Sequence, residues 1–362
     1  MWISTENILQ EVMVKTTNPL VSVVIPCFNS KDIVLPCLKS VLATRYPNIE
    51  IVVVDDQSID GTYELLVDKY EKNKKVTLVR NDKNSGPSYT RNHGIMNSKG
   101  RYIAFIETDM RVDRTWLDPL VQRMEKDKSL GAVQSKVLDY IKKDYIQAVG
   151  VRYDPHTFWV MSIGAGQHKD TIKESQEVSI GAVGSLVRKS VLDEIGGFDE
   201  KLVHNIDDID LGWRIWIAGW KIVTVPQSVT YHWTGKPSKV REKLTSSVKS
   251  EFYFHKTPRV FIKNYEAKNV VKYLPVLLAV YLIRDLKCVA SGNINPIKGL
   301  AKAVFWSIIN LADTLRERSR IQSLRKISDS EIIDKVGLKG NVFEVYYRYI
   351  KPTYLKVLKV FN

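Results

Sequence analysis

Cysteine is scarce in this 362-residue chain, with three residues at Cys27, Cys37 and Cys288. Their spacing fits no metal-ligand pattern and they cannot all pair internally, so a reducing cytoplasm is the simplest setting. Long apolar runs are missing too. The uncharged ones, Tyr273 to Ile283 and Ala303 to Ala312, fall well short of the roughly 20 residues a spanning helix needs, and no such helix is expected. The opening segment MWISTENILQEVMVKTTN has neither the basic start nor the long apolar centre of a signal peptide. No GxGxxG follows the first strand-like run, which argues against a dinucleotide fold of the usual kind. No convincing Ser or Cys triad is present, and no nucleic-acid-binding motif is visible.

What is abundant is positive charge, and it is unevenly placed. Residues 1–235 carry 29 Lys and Arg against 30 Asp and Glu, whereas residues 236–362 carry 25 against 10. The hydrophobic content of 44% is that of a soluble protein, and the length allows one large or two modest domains.

Between residues 21 and 137, β-branched runs alternate with helical patterns. Val21 to Pro26, Ile49 to Val54, Val76 to Arg80, Tyr102 to Ile106 and Gly131 to Val137 read as strands, with Pro26 expected to stop the first. Ile33 to Ala43, Thr62 to Tyr70, a helix opening at Pro87, and Trp116 to Lys126 lie between them. This order predicts an α/β domain with a mostly parallel central sheet. Acids gather where the strands stop, at Asp55, Asp56, Glu107 and Asp109. Side chains at i and i+2 share a face of a strand, so Glu107 and Asp109 would emerge together at the end where such sheets bind ligands. They could hold a divalent cation against a nucleotide diphosphate, or be two turn acids. Asp56 to Gly61 imitates the start of an EF-hand loop, but the twelfth position is Val67 rather than glutamate.

Further on, residues 140–175 show no clear pattern. Gly181 and Gly184 would permit close approach of a ligand or of another backbone segment. DDIDLGWRIWIAGW reads as a helix starting near Asp207, with Trp213, Trp216, Ile217 and Trp220 at core spacing and Asp210 and Arg214 paired at i, i+4. Asp207 and Asp208 serve there either as caps or as a general base. His232 follows another short strand, Val229 to Tyr231, and is either structural or a metal ligand.

Taken in order, VSVVIPCFN, IVVVDDQSIDGT, NSGPSYTRNHGI, YIAFIETD, GGFDE, DDIDLGWRIWIAGW and the later His232 resemble the family 2 glycosyltransferases of the GT-A fold over about residues 20–235. The resemblance implies a nucleotide-sugar-dependent, inverting hexosyltransferase. Pro26, Asn29, Asp55, Asp56, Arg91 and Glu107 would form the nucleotide-sugar site. Asp109 and His232 would bind Mg²⁺ or Mn²⁺, with Glu107 standing where the family has Asp. Asp208 would be the catalytic base, with Asp207 beside it at a position where Glu is commoner. A glycan or lipid-linked acceptor is implied.

Residues 1–19 are then an N-terminal extension, 20–235 the catalytic domain, and 236–362 a basic helical extension. EFYFHKTPRVFIKNY mixes aromatics with Lys and Arg. Leu300, Val304, Ile308, Leu311 and Leu315 form an apolar stripe, with Arg316, Arg318 and Arg320 after it. This suits peripheral contact with an anionic membrane, at the inner face of the plasma membrane, or else packing against the catalytic domain. Two competing functions are weighed. A nucleic-acid-binding protein using the basic region would leave the acids unexplained, and a metal-dependent nucleotidyltransferase would release pyrophosphate.

Overall fold

The structure is a computed structural model that describes residues 18–179, 183–202, 206–233 and 255–351. Among the segments singled out above, residues 1–17, Gly181 and residues 236–254 lie outside them. The first half builds as its periodicity dictates. Strands β1 (Val21–Cys27), β2 (Ile49–Asp55), β3 (Val76–Arg80) and β4 (Tyr102–Phe105) are joined through helices α1 (Val34–Leu42), α2 (Thr62–Tyr70) and α3 (Pro87–Met96). They pair in parallel in the order β3-β2-β1-β4. β1 is buried along its whole length, as expected of a run covered on both faces. It does not stop at Pro26 but continues to Cys27. Its pairing with β4 ends at Val24–Phe105, so the missing proline N–H costs no ladder bond on that side.

The second half turns the sheet from parallel to mixed. It holds β5 (Met110–Val112), α4 (Leu117–Lys126), β6 (Leu130–Asp139), β7 (Ile146–Ala148), the separate hairpin β8 (Val151–Tyr153) and β9 (Val160–Ser162), β10 (Ser185–Arg188), α5 (Lys189–Ile195), α6 (Asp207–Ile217) and β11 (Lys221–His232). β10 inserts antiparallel between β4 and β6. β11 runs parallel to β6 and antiparallel to β5, and β7 pairs with β6. Gly184, before β10, has φ +71, and a Cβ there would lie 2.5 Å from Ser135 Oγ, so close strand packing is what this glycine serves. Pro226 falls in a bulge where the β11 register shifts between Val225 and Val229, so the short strand expected at Val229 to Tyr231 is the end of a longer one.

Two apolar layers cover the sheet. One gathers α1, α4 and the strand faces around Leu38, Trp116 and Leu120. The other centres on Trp213 and Trp216 of α6 and draws in Val260, Phe261 and Tyr265 from the C-terminal part. There α7 (Thr257–Asn264), α8 (Ala267–Ala290), α9 (Asn295–Ile309), α10 (Leu311–Ser323) and α11 (Asp329–Val336) follow one another. Tyr153, Phe158, Trp213, Phe261 and Tyr265 form a cluster with ring centroids 4.5 to 5.6 Å apart, each aromatic pair adding about 0.5–1.5 kcal/mol beyond its buried area. The apolar stripe from Leu300 to Leu315 is not one helix. Asn310 ends α9 with a side-chain bond to the Trp306 carbonyl, 2.8 Å, and α10 begins after it. Arg318 donates to the carbonyls of Ile262 and Tyr265, and Arg320 to that of Ile195. Two of the three arginines after the stripe thus fasten α10 to its neighbours.

Candidate active site

The C-terminal ends of β1, β2 and β4 meet the first turns of α3 and α6, the position at which open α/β sheets hold ligands. Asn29 follows β1 with φ 48, a left-handed conformation that asparagine tolerates. Its N–H donates to Ser58 Oγ and its Oδ1 accepts from Ile59 N, both at 2.9 Å, which ties the exits of β1 and β2 together. Pro26 is buried within β1.

Both acids after β2 are buried and engaged. Asp55 accepts from Ser58 N at 3.0 Å and pairs with Arg80 Nε at 3.2 Å. Asp56 accepts from Asn81 Nδ2 at 2.7 Å and from the N–H groups of Ser85 and Gly86 at 2.8 Å. Loop 81–86 is thereby drawn against β2, and α3 starts from a fixed point. Pro87 suits its first turn, where an N–H is not needed.

Arg91, one turn into α3, is 8% exposed and spans the site. Its Nη2 donates to Glu107 Oε1 at 2.7 Å and its Nη1 to Asp207 Oδ2 at 2.6 Å, with the Phe198 ring 5.3 Å from the guanidinium. Burial pulls its pKa down, but Glu107 and Asp207 more than offset this and hold it above the ordinary value. One cation therefore joins acids separated by 100 residues of chain.

Glu107 and Asp109 do not share a strand face. β4 ends at Phe105, and residues 107–110 form a turn closed by Met110 N to Glu107 O at 3.0 Å. Glu107 turns to Arg91, while Asp109 faces His232, whose Nε2 lies 3.5 Å from Asp109 Oδ1. Sheet register makes that meeting: His232 is paired with Met110 on one side and Asp139 on the other. Among the described residues no group of three or more His, Cys, Asp and Glu side chains converges. A carboxylate and an imidazole nitrogen nevertheless fit an ion such as Mg²⁺ or Mn²⁺, which takes one or two protein ligands and completes its shell with phosphate oxygens and water.

The two acids of α6 differ in setting. Asp207 is 3% exposed and also lies 3.3 Å from Ser88 Oγ. Asp208 is half-buried, and its Oδ1 accepts from Ile209 N at 2.8 Å. One turn further, Asp210 is fully buried between Arg214, Lys263 and Asn264, each at 2.8 to 2.9 Å. Burial pushes Asp210 up, but Arg214 and Lys263 outweigh it and hold the carboxyl below its ordinary value. Asp199 is lowered in the same way by Lys263 and Arg259. The two buried thiols favour their protonated form: burial, then Asp55, pushes Cys27 well up, and burial pushes Cys37 up to about 12.

Several site residues carry no sequence signal. Ser88 looks like an ordinary polar residue, and Lys263 and Asn264 belong to the basic region whose sequence suggests a surface.

Comparison with known proteins follows this geometry. The sequence profile described as Glycosyl transferase family 2 matches residues 22–196. The chain is 32% identical over 127 residues, 35% of its length, to the Escherichia coli UDP-Glc:alpha-D-GlcNAc-diphosphoundecaprenol beta-1,3-glucosyltransferase WfaP. It is 25% identical over 225 residues, 58% of its length, to a Staphylococcus epidermidis poly-beta-1,6-N-acetyl-D-glucosamine synthase. The match spans 49% of each of these relatives. Among solved structures, a Pyrobaculum calidifontis mannosyltransferase in complex with GDP-Man and Mn²⁺ superposes with a TM-score of 0.51 at 18% identity, covering 85% of this chain and 86% of that one, which shows the fold. The segment that matches glycosyl transferase family 2 is the one that carries Asp55, Asp56, Arg91, Glu107 and Asp109.

Proposed function

We propose that the enzyme transfers a hexose from a nucleotide diphosphate sugar to an acceptor hydroxyl with inversion at the anomeric carbon. The observation that best supports this reading is the Arg91 bridge. By pairing with Glu107 and Asp207 it gathers the acids of β4 and α6 around one cleft at the carboxyl end of the sheet. Pro26, Asn29, Asp55 and Asp56 form the nucleoside side of that cleft, Asp55 and Asp56 chiefly by fixing its loops.

Asp109 and His232 would hold Mg²⁺ or Mn²⁺, which when bound offsets the charge developing on the departing diphosphate. The acceptor oxygen attacks C1 opposite that leaving group and the C1–O bond to phosphate breaks. Its electron pair leaves with the diphosphate, and the acceptor proton passes to Asp208. Asp207, engaged by Arg91 and Ser88, sets the first turn of α6 on which Asp208 stands. Direct displacement uses one base and no protein nucleophile, in keeping with thiols held in the protonated form.

The acceptor in this reading is a lipid-linked or cell-surface glycan met at the cytoplasmic face of the plasma membrane. The name of WfaP describes a diphosphoundecaprenol acceptor, and the α8 and α9 faces of this chain are apolar and exposed, including Leu282 at 51% and Phe305 at 67%. Among the described residues no helix is long and apolar enough to cross a membrane, so the contact would be in-plane.

The test is a screen of UDP-, GDP- and dTDP-sugars for Mn²⁺-dependent hydrolysis or transfer, with Asp208→Asn as the control. Release of nucleoside diphosphate, lost in the variant while donor binding persists, is expected. Near-normal transfer by Asp208→Asn would overturn the assignment of the base, and release of pyrophosphate would overturn glycosyl transfer itself.

A further inference from the structure

Gln147 lies on β7, which pairs with the edge of β6, and it stands between two groups of opposite need. Its Nε2 donates to Asp139 Oδ2 at 2.9 Å and to the His232 carbonyl at 3.0 Å. Its Oε1 lies 2.8 Å from His232 Nδ1. A carboxylate and a carbonyl can only accept, so the amide cannot be turned round without facing oxygen on oxygen. Asp139 is 4% exposed and is fixed in turn by the N–H groups of Ile141 and Lys142, at 2.9 and 2.5 Å. The carbonyl of Gln147 must therefore accept, and His232 Nδ1 must carry the hydrogen.

We infer that Gln147 is a positioning residue for the metal site, holding His232 in the Nδ1–H tautomer so that the Nε2 lone pair faces Asp109. The inference rests on the reading of Asp109 and His232 as metal ligands and adds what that reading lacks, the reason Nε2 is the ligating atom. The arrangement sets a lone pair 3.5 Å from a carboxylate oxygen. Two acceptors face each other there, a disposition that a shared cation satisfies. An outer partner on the remote nitrogen fixes the ring plane as well as the tautomer, and loss of such partners costs about 10- to 100-fold in metal affinity. Three adjacent strands supply the parts, Asp139 from β6, Gln147 from β7 and His232 from β11, so the histidine and its outer partners are carried on sheet.

The test uses the full chain with Mn²⁺ alone, titrated by electron paramagnetic resonance, and reads the His232 tautomer from ¹⁵N shifts of histidine-labelled protein. The wild type is expected to show Nδ1–H, while Gln147→Leu is expected to show mixed tautomers and to bind Mn²⁺ about 10- to 100-fold more weakly. Where Gln147→Leu fails to fold, the tautomer of the wild type decides: His232 found with its hydrogen on Nδ1 supports the inference, and His232 found with its hydrogen on Nε2 overturns it. Wild-type affinity in Gln147→Leu together with loss in His232→Ala would overturn the role of Gln147 and leave the metal site standing. Unchanged affinity in His232→Ala would overturn the ligand reading, and this inference with it.

Discussion

Arg91 Nη1 lies 2.6 Å from Asp207 Oδ2, and both side chains are nearly excluded from solvent. This separates the two acids of α6 by task. Asp207→Asn is expected to destabilise the fold by about 3 kcal/mol, the low end for a broken buried ion pair, because Glu107 still answers Arg91. Asp208→Asn should change stability by less than about 0.5 kcal/mol and lower kcat by roughly 10²–10⁴-fold. Urea unfolding beside initial rates for the two variants checks this. The opposite pattern would move the base to Asp207.

Lys263 is a second anchor of the same helix. Its ammonium, 1% exposed, lies 2.5 Å from Asp199 and 2.9 Å from Asp210, so α7 holds the segment that carries Asp208. Lys263→Met leaves two buried carboxylates short of a partner and is expected to cost about 3–5 kcal/mol in urea unfolding. It should also move acid unfolding to higher pH. Asp199 is held below its ordinary pKa because Lys263 and Arg259 outweigh burial. That stabilisation is present above the unfolded carboxylate pKa and is lost as pH falls below it.

The strands that end at the cleft are legible because each is a short apolar run with an acid or a proline at its exit, and Pro87 marks the start of α3. The rest depended on pairings between distant segments. Nothing in SLVR says that β10 slides antiparallel between β4 and β6, and residues 140–175 hide Gln147 because a lone amide has no periodicity. Alternation would put Glu107 and Asp109 on one face only if a strand ran through them, whereas β4 ends at Phe105. The helix expected near Asp207 begins there. Arg91 and Ser88, 116 and 119 residues earlier in the chain, hold Asp207 and set it apart from its neighbour.

Lys256 gives a pH dependence of the same sense as Asp199, but in the alkaline range. It is 7% exposed, donates to the Lys201 carbonyl at 3.1 Å and sits 4.2 Å over the Trp306 ring. Burial pulls its pKa down to about 8, with Asp199 opposing. Between about pH 8 and the unfolded value of 10.5 the unfolded chain binds the extra proton. Wild-type stability should therefore rise with pH relative to Lys256→Met, by at most about 1.4 kcal/mol per unit. Using the difference removes the common contribution of tyrosines and Cys27. A flat difference between about pH 7.5 and 9.5 would show that the ammonium is not burdened by burial.

The surface of α8 and α9 is the reverse of an ordinary solvated helix pair. The only acid from Ala267 to Ile309 is Asp285, which is buried against His255 and Arg284, whereas Lys272, Lys287, Lys298 and Lys302 are exposed. Between those lysines lie Leu278, Leu282, Ile283, Leu286, Val304, Phe305, Ile308 and Ile309, each 46% to 69% exposed. Tyr273, Leu277 and Tyr281 hold α8 to the core from its other face. The apolar residues can therefore enter a bilayer without unfolding anything. The full chain is expected to pellet with vesicles of phosphatidylglycerol and phosphatidylcholine at low salt, more weakly at about 0.5 M NaCl because the lysine contribution is screened, and least with phosphatidylcholine alone. Replacing Leu282, Phe305 and Ile308 together by serine should abolish pelleting with little change in melting temperature, since none of the three is buried. Pelleting that survives this replacement would exclude the α8–α9 face as the membrane contact. A chain that stays in the supernatant at low salt would remove membrane association altogether.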